Sequence, residues 1–251
     1  MALTELIAGP DWQAVDFISD LHLQASEPAT FKVWQRFMQT TTADAVFILG
    51  DLFEVWVGDD ALESGNFEDS CAQVIQQTSS RISTFFMHGN RDFLIGSALM
   101  ATCQSTLLPD PTIFMFQGNR WLLSHGDALC TDDTAYMQFR QLARSQTWQQ
   151  SFLARPLADR QAIADDLRAQ SEALKISRAS YADVNVQAAR QLLLLCNAQT
   201  LIHGHTHKPG WHDLGDGMAR VVLSDWDMQV ELPRAEVLRL SATGLQRIDL
   251  S

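Results

Sequence analysis

Ala14-Val15-Asp16-Phe17-Ile18-Ser19-Asp20-Leu21-His22 begins as an apolar run and ends on two side chains that bind cations. A short run of this kind, with a polar step directly after it, predicts a buried strand whose carboxyl end carries chemistry. The construction recurs along the chain. Residues 45–49 lead into Gly50-Asp51, and residues 82–88 lead into Gly89-Asn90-Arg91-Asp92. Residues 121–124 lead into His125-Gly126-Asp127, and residues 200–203 into Gly204-His205-Thr206-His207. A further strand is expected over 221–224. Residues 112–116 and 120–124 flank Gly118-Asn119 and predict a hairpin. Helical stretches over 30–40 and 66–79 alternate with the early strands, which points to an α/β layered core.

Composition narrows the function classes. The chain has 251 residues, 46% of them hydrophobic and 19% charged, which suits a folded globular protein and excludes wholesale disorder. Its 18 basic and 30 acidic residues give a net charge of −12. Such a surface repels phosphate backbones, so no nucleic-acid partner is expected. A phosphate substrate held through a metal ion is still compatible with it. No apolar run approaches the roughly 18–20 residues of a membrane span. The first basic residue is Lys32, so the start does not read as a secretory signal, and a cytoplasmic location is expected. Cys71, Cys103, Cys130 and Cys196 form no Cys-x-x-Cys pair and read as reduced and mostly buried, with a disulfide or zinc knuckle as the alternative.

Residues 131–180 differ from the rest. Strand signal is almost absent, and Tyr136, Phe139, Leu142, Trp148, Phe152, Ile163 and Leu167 recur at helical spacing. Pro156 can open a new helix there. The segment carries net charge +1, against −13 over the remainder. One reading is a helical insertion packed on the core with its arginines in solvent. The other is a cap over the active site that supplies positive charge and apolar surface.

In α/β sheets, ligands gather beyond the carboxyl ends of strands. Convergence of these strand ends would bring together Asp20, His22, Asp51, Asn90, His125, His205 and His207. Taken singly, Gly50-Asp51 and Gly89-Asn90 are ordinary turns, and Asp20-x-His22 is a helix cap beside a surface histidine. His88 and His203 lie inside apolar runs and read as core histidines, while His212 reads as structural. Taken together, carboxylate, amide and imidazole donors without thiolate suit Mn²⁺, Fe²⁺ or Zn²⁺. Their number exceeds what one ion needs, and two ions sharing a carboxylate would account for it.

The ordered set Asp-x-His, Gly-Asp, Gly-Asn-Arg-Asp, His and Gly-His-x-His resembles the calcineurin-like metallophosphoesterases. It spans residues 20 to 207. The resemblance implies a sandwich of two mixed β-sheets flanked by helices, in one domain over 1–251 with a helical cap inserted at about 131–180. It also implies two divalent ions, with Mn²⁺ expected. Asp20, His22, Asp51 and His207 would hold the first ion, and Asp51, Asn90, His125 and His205 the second. Arg91 stands where most members have histidine. An arginine neutralises phosphoryl charge but gives up no proton, which favours a leaving group that needs none. That tilts the expectation toward pyrophosphate cleavage.

The strings Gly50-Asp51-Leu52-Phe53-Glu54, Gly89-Asn90-Arg91-Asp92-Phe93-Leu94-Ile95-Gly96 and 125–133 are similar to the branch that hydrolyses UDP-2,3-diacylglucosamine in bacterial lipid A biosynthesis. That similarity implies attack of water on the α-phosphorus, giving UMP and 2,3-diacylglucosamine 1-phosphate. It implies Asp51, Asn90, Arg91 and His205 as catalytic residues. Asn90, Arg91, Asp133, Ser171, Lys175, Arg178 and His205 would contact substrate. Peripheral contact with the cytoplasmic face of the inner membrane is expected, and no obligate protein partner is. Other nucleoside diphosphate derivatives and phosphodiesters stay open as substrates. A non-catalytic scaffold should have lost ligands, whereas every candidate ligand is present here.

Overall fold

The computed structural model describes the backbone of residues 4–177 and 183–251, and the side chains of these except 170–177. Two six-stranded sheets form its centre. In the first, β2 (Ala14–Ile18), β3 (Ala45–Ile48), β4 (Ser83–Met87) and β5 (Thr106–Leu108) run parallel. β11 (Glu236–Ser241) and β12 (Gly244–Asp249) extend that sheet antiparallel beyond β2. The second sheet has the order β1 (Thr4–Ile7), β6 (Thr112–Phe116), β7 (Asn119–Leu123), β8 (Thr200–His203), β10 (Met218–Val222) and β9 (Gly210–Gly215). There β7, β8 and β10 are parallel neighbours. The fold is therefore the sandwich of two mixed sheets that the motif order implied.

Side-chain alternation along each strand sorts residues into layers. Val15, Phe17, Phe47, Phe85 and Met87 face inward and meet Phe114, Leu123, Ile202 and Val221 of the opposite sheet. Phe47 lies 4.8 Å from Phe114 and 5.0 Å from Phe17, ring centre to ring centre. Ile18, Val46, Ile48 and Phe86 point to the other face. They pack beneath α1 (Pro28–Thr40), α2 (Phe67–Ser79) and α3 (Ser97–Cys103). The outer face of the second sheet, with Ile113, Leu122 and Leu201, is covered by Ala189, Leu193 and Cys196 of α7 (Val186–Cys196). All four cysteines are free and buried, as expected.

Local chemistry explains the boundaries. Pro28 occupies the first turn of α1, where a missing N–H costs nothing. The Asn66 side chain accepts from the Asp69 N–H and caps α2. The hairpin turn lies one residue earlier than expected. Its central residues are Gln117 and Gly118, at φ +48° and +79°, and Asn119 already pairs with Phe116. Two consecutive positive φ values match the right-handed twist of the strands they join. The strand expected over 221–224 also lies earlier, at Met218–Val222, because β10 keeps register with β8. The short strands β1, β5, β9, β11 and β12 were not anticipated from sequence.

Residues 131–180 contain α4 (Thr134–Ala143), α5 (Gln146–Leu153) and α6 (Leu157–Ser177) among the described residues. Pro156 directly precedes α6, as expected. The apolar stripe divides. Trp148 and Phe152 stack on each other at 4.8 Å and join the core under the first sheet, whereas Phe139 is 37% exposed. The arginines are not simply solvated. Arg160 is 1% exposed, donates to Val57 O at 2.5 Å and pairs with Asp60. Arg140, Arg144 and Arg168 pair with Asp127, Asp127 and Glu54.

Gly50, at φ +91°, links β3 to the expected ligand Asp51. A Cβ there would lie 2.6 Å from Gly89 Cα and 2.7 Å from His125 Nδ1. Both the conformation and the space require glycine. Gly50→Ala is expected to cost at least about 1–3 kcal/mol through the strained φ, with added loss from displaced His125. A lower Tm together with reduced bound metal, measured by elemental analysis, would bear this out; unchanged values of both would contradict it.

Candidate metal centre

The seam between the two sheets collects the polar strand ends. Asp20 and His22 follow β2, Asp51 follows β3 and Asn90 follows β4. His125 follows β7, and His205 and His207 follow β8. All of these strands run parallel to a neighbour within their sheet, so their carboxyl ends emerge on one edge. Two groups of converging ligand atoms result: Asp20 with His22 and His207, and Asp20 with Asp51 and His125. Asn90 Oδ1 lies 3.1 Å from His125 Nε2 and 2.8 Å from His205 Nδ1. All seven expected ligands therefore meet.

Their backbones are strained. Asp20, His22, Asp51, His205 and His207 all have φ between +50° and +68°. Non-glycine residues rarely adopt this region, and each costs about 1–3 kcal/mol. Five of them consume a large share of a domain's roughly 5–15 kcal/mol of net stability. They persist because the loops are braced. Asp20 N–H donates to Gly50 O at 3.1 Å, and Leu21 and His22 N–H both donate to Asp51 O. Asp92 accepts from the N–H groups of Gly89 at 2.8 Å and Leu52 at 2.8 Å, tying the Gly-Asp loop to the Gly-Asn loop. Gly204 allows a close approach, since a Cβ there would collide with Ser19 and Asp20 side chains.

The hydrogen bonds aim each ligand atom. His125 Nδ1 lies 2.9 Å from Leu49 O, and donation there leaves Nε2 for the seam. His22 Nδ1 lies 2.8 Å from Glu54 Oε2 as an ion-pair contact outside hydrogen-bond alignment, and this placement leaves Nε2 facing the seam. Asp20 accepts from Ser19 Oγ at 2.6 Å and from the His205 N–H at 2.9 and 3.0 Å. Asp51 Oδ1 accepts from the Arg91 N–H at 2.8 Å.

The electrostatics fit divalent cations. Burial alone would raise the Asp20 carboxyl, but His207, His125 and His22 outweigh it and hold the group well below the usual carboxylate range. Burial would lower His125, but the charges of Asp51, Asp20 and Asp127 prevail and push it up to about 9. His205 is pushed down to about 4, by burial and then by His125. His22 and His207 face each other Nε2 to Nε2 at 3.4 Å. Two imidazole lone pairs at that distance repel, and either a proton on one ring or a cation bound by both relieves the repulsion. Hard oxygen and imidazole donors around buried carboxylates suit a pair of divalent ions.

The remaining expected residues divide. The Arg91 backbone is fixed on Asp51, and its Nη1 lies 3.7 Å from Glu54 Oε1. Asp133 accepts from the Tyr136 N–H and caps α4. The side chains of Ser171 and Lys175, and all of Arg178, lie outside the described residues. His203 Nδ1 donates to Gly204 O at 2.8 Å, and burial pushes its imidazole down to about 3. His88 Nε2 donates to Ile95 O at 2.7 Å. Both match the core reading.

Other contributors were not singled out from sequence. Asp127 is buried and accepts from Tyr136 Oη at 2.6 Å and Arg140 Nε at 2.7 Å. Arg144 Nη2 donates to Gly89 O at 2.8 Å, and its guanidinium lies 5.0 Å from the Phe93 ring centre. Glu54 and Asp92 close the same short blocks that hold Asp51 and Asn90, and that placement was the available signal. Nothing local marks Tyr136, Arg140, Arg144 or Arg168.

The sequence profile of the calcineurin-like phosphoesterases matches residues 14–209, which hold every one of these ligands. The chain belongs to the calcineurin-like phosphoesterase family. A UDP-2,3-diacylglucosamine hydrolase of Ralstonia nicotianae is 44% identical over 246 residues, covering 93% of this chain and 90% of its own. One of Chromobacterium violaceum is 46% identical over 220 residues, covering 85% and 90%. One of Aromatoleum aromaticum is 45% identical over 217 residues, covering 84% and 88%. Among solved structures, an archaeal phosphodiesterase is 12% identical with a TM-score of 0.48, covering 94% of this chain and 99% of its own.

Below about pH 9 the metal-free site holds a proton on His125. A metal ion must displace it, so apparent affinity should weaken as pH falls and protons should be released on binding. Calorimetric Mn²⁺ titration between about pH 6 and pH 9, in buffers of different ionisation enthalpy, measures both. Binding that is independent of pH, with no proton release, would contradict the assignment of His125.

Proposed function

We propose that this protein hydrolyses the pyrophosphate bond of UDP-2,3-diacylglucosamine, releasing UMP and 2,3-diacylglucosamine 1-phosphate in lipid A biosynthesis. The observation that carries this is the pair of ligand clusters sharing one seam, with Arg91 at its edge. The relatives' names supply the substrate class. Two divalent ions, when bound, supply Lewis acidity to the phosphoryl oxygens and activate water for in-line displacement. Mn²⁺ is the proposed metal, from donor hardness.

The chain's own groups then have defined tasks. Asp20, His22, Asp51 and His207 would hold one ion, and Asp51, Asn90, His125 and His205 the other. Arg91 offsets the charge that grows on the phosphoryl oxygens. It cannot act as an acid, and the leaving phosphate monoester, with a second pKa of about 6, needs no proton. Tyr136 does not replace it as an acid. Burial and Asp127 push its hydroxyl well above the ordinary phenol range, and it donates to Asp127. Arg91, Asp133, Ser171, Lys175 and Arg178, with Asn90 and His205, are the proposed substrate contacts.

We read residues 1–251 as one domain with the helical segment 131–180 as its cap. Leu142, Leu153 and Leu167 on that segment are 56%, 42% and 38% exposed. Apolar side chains beside arginines support peripheral contact with the inner membrane, where the lipid substrate resides. Among the described residues, no helix is long and apolar enough to cross a membrane.

The direct test uses wild-type protein, Mn²⁺ and UDP-2,3-diacylglucosamine in ¹⁸O-water. Attack at the α-phosphorus places the label in UMP; label in the lipid phosphate would exclude that position. Turnover of other nucleoside diphosphate derivatives or a nitrophenyl phosphodiester, without turnover of the lipid, would reject the substrate. Two variants test the site. Arg91→Ala should lower turnover by about 10²–10³-fold with metal content intact. Asp51→Ala should lose activity that added Mn²⁺ does not restore, whereas His22→Ala should regain part of it. The reverse pattern would remove Asp51 from its bridging role.

A further inference from the structure

Glu54 is 9% exposed and lies in the loop after β3, where its N–H donates to Leu23 O at 3.2 Å. One carboxylate oxygen lies 2.8 Å from His22 Nδ1. The other lies 2.8 Å from Arg168 Nε on α6 and 3.7 Å from Arg91 Nη1. One buried carboxylate thus joins three partners: the far side of a ligand ring, the arginine beside the centre, and a helix of the inserted segment. Arg160, eight positions before Arg168 and so about two turns away on the same helix, is anchored at Val57 and Asp60 of the same loop. The two attachments differ. Arg160 is 1% exposed and enclosed, whereas the Arg168 side chain is 39% exposed and can leave.

We propose that Glu54 is a positioning residue that couples loading of the metal centre to the seating of helix α6. This rests on the reading of His22 as a metal ligand. With a cation on Nε2, the His22 ring is fixed and its polarised Nδ1–H turns the 2.8 Å contact with Glu54 into an aligned hydrogen bond that holds the carboxylate in one rotamer. The second oxygen of Glu54 is then a fixed acceptor for Arg168. Without the cation, Glu54 follows a looser imidazole, and Arg168 loses its fixed partner to solvent. The coupling is reciprocal by thermodynamic necessity. Seating of α6 through Arg168 therefore strengthens metal binding at the His22 position. Helix α6 thus seats through Arg168 on a loaded centre in preference to an empty one.

The experiment uses the full chain stripped of metal. Hydrogen exchange over residues 157–169 is measured with and without Mn²⁺, and Mn²⁺ affinity is measured by calorimetry. In wild type, Mn²⁺ should slow exchange in this stretch of α6. Arg168→Ala and Glu54→Gln should each abolish that response. Arg168→Ala, which touches no ligand, should also weaken Mn²⁺ binding by about fivefold or more. Arg168→Lys, which keeps the charge without the planar fork, should fall between. A merely structural Glu54 would lower the Tm of Glu54→Gln yet leave the exchange response to Mn²⁺ intact, which would overturn the proposal. If Glu54→Gln does not fold, Arg168→Ala decides: wild-type affinity with an unchanged response overturns the coupling. Failure of wild type to bind Mn²⁺ would overturn the metal reading itself, and the coupling with it.

Discussion

Asp20 and Asp51 are carboxylates with almost no water of their own, at 0% and 2% exposure. An uncompensated buried charge costs several kcal/mol, so everything around them has to answer that cost. Backbone N–H groups of His205 and Arg91 do part of it, and the Ser19 hydroxyl adds to it. Four histidines surround the carboxylates, and the charges of Asp51, Asp20 and Asp127 push His125 up to about 9, so the seam favours positive charge. A divalent ion satisfies the same demand with more charge in less volume. The strained φ values at five ligands follow from it as well. Ligand atoms can converge only if the chain turns sharply at the end of each strand.

The sandwich makes that convergence possible. Phe17, Phe47 and Phe114 hold the two sheets face to face. Each sheet then contributes the carboxyl ends of its own parallel strands, with Asp20, His22, Asp51 and Asn90 from one and His125, His205 and His207 from the other. Neither sheet alone carries a complete ligand set. Aromatic packing some distance from the chemistry therefore sets the distances within it.

The inserted helices are tied to this frame by charge as well as by packing. Trp148 and Phe152 enter the core, while Arg140 and Arg144 reach Asp127, Arg160 reaches Asp60 and Arg168 reaches Glu54. An arginine's long apolar stem and planar head suit such spans. The basic character of the segment is thus partly spent on the acidic core of the same chain. Its exposed face on the described part carries apolar side chains, Phe139, Leu142, Leu153 and Leu167, among polar ones such as Arg155, Asp165 and Asp166.

The sequence by itself singled out the seven side chains that the fold brings to one seam, because cation chemistry depends on residue type and the short motifs lie at strand ends that periodicity reveals. It also determined the layered α/β class, the helices over about 30–40 and 66–79, although Pro28 starts the first of them two residues earlier, and the free cysteines. The hairpin was legible to within one residue, since Gly118 marks a turn but only the φ of Gln117 places it. The edge strand Thr106–Leu108 was not legible, because three residues are too few for a period to emerge. The tertiary structure alone decided which side of the apolar stripe meets the core, and where each arginine ends. Those outcomes depend on contacts between residues far apart in the chain, such as Glu54 with Arg168 and Asp127 with Arg140. Local propensity is blind to such pairs, because the energy of each pair exists only once the two sheets and the helices have closed around it.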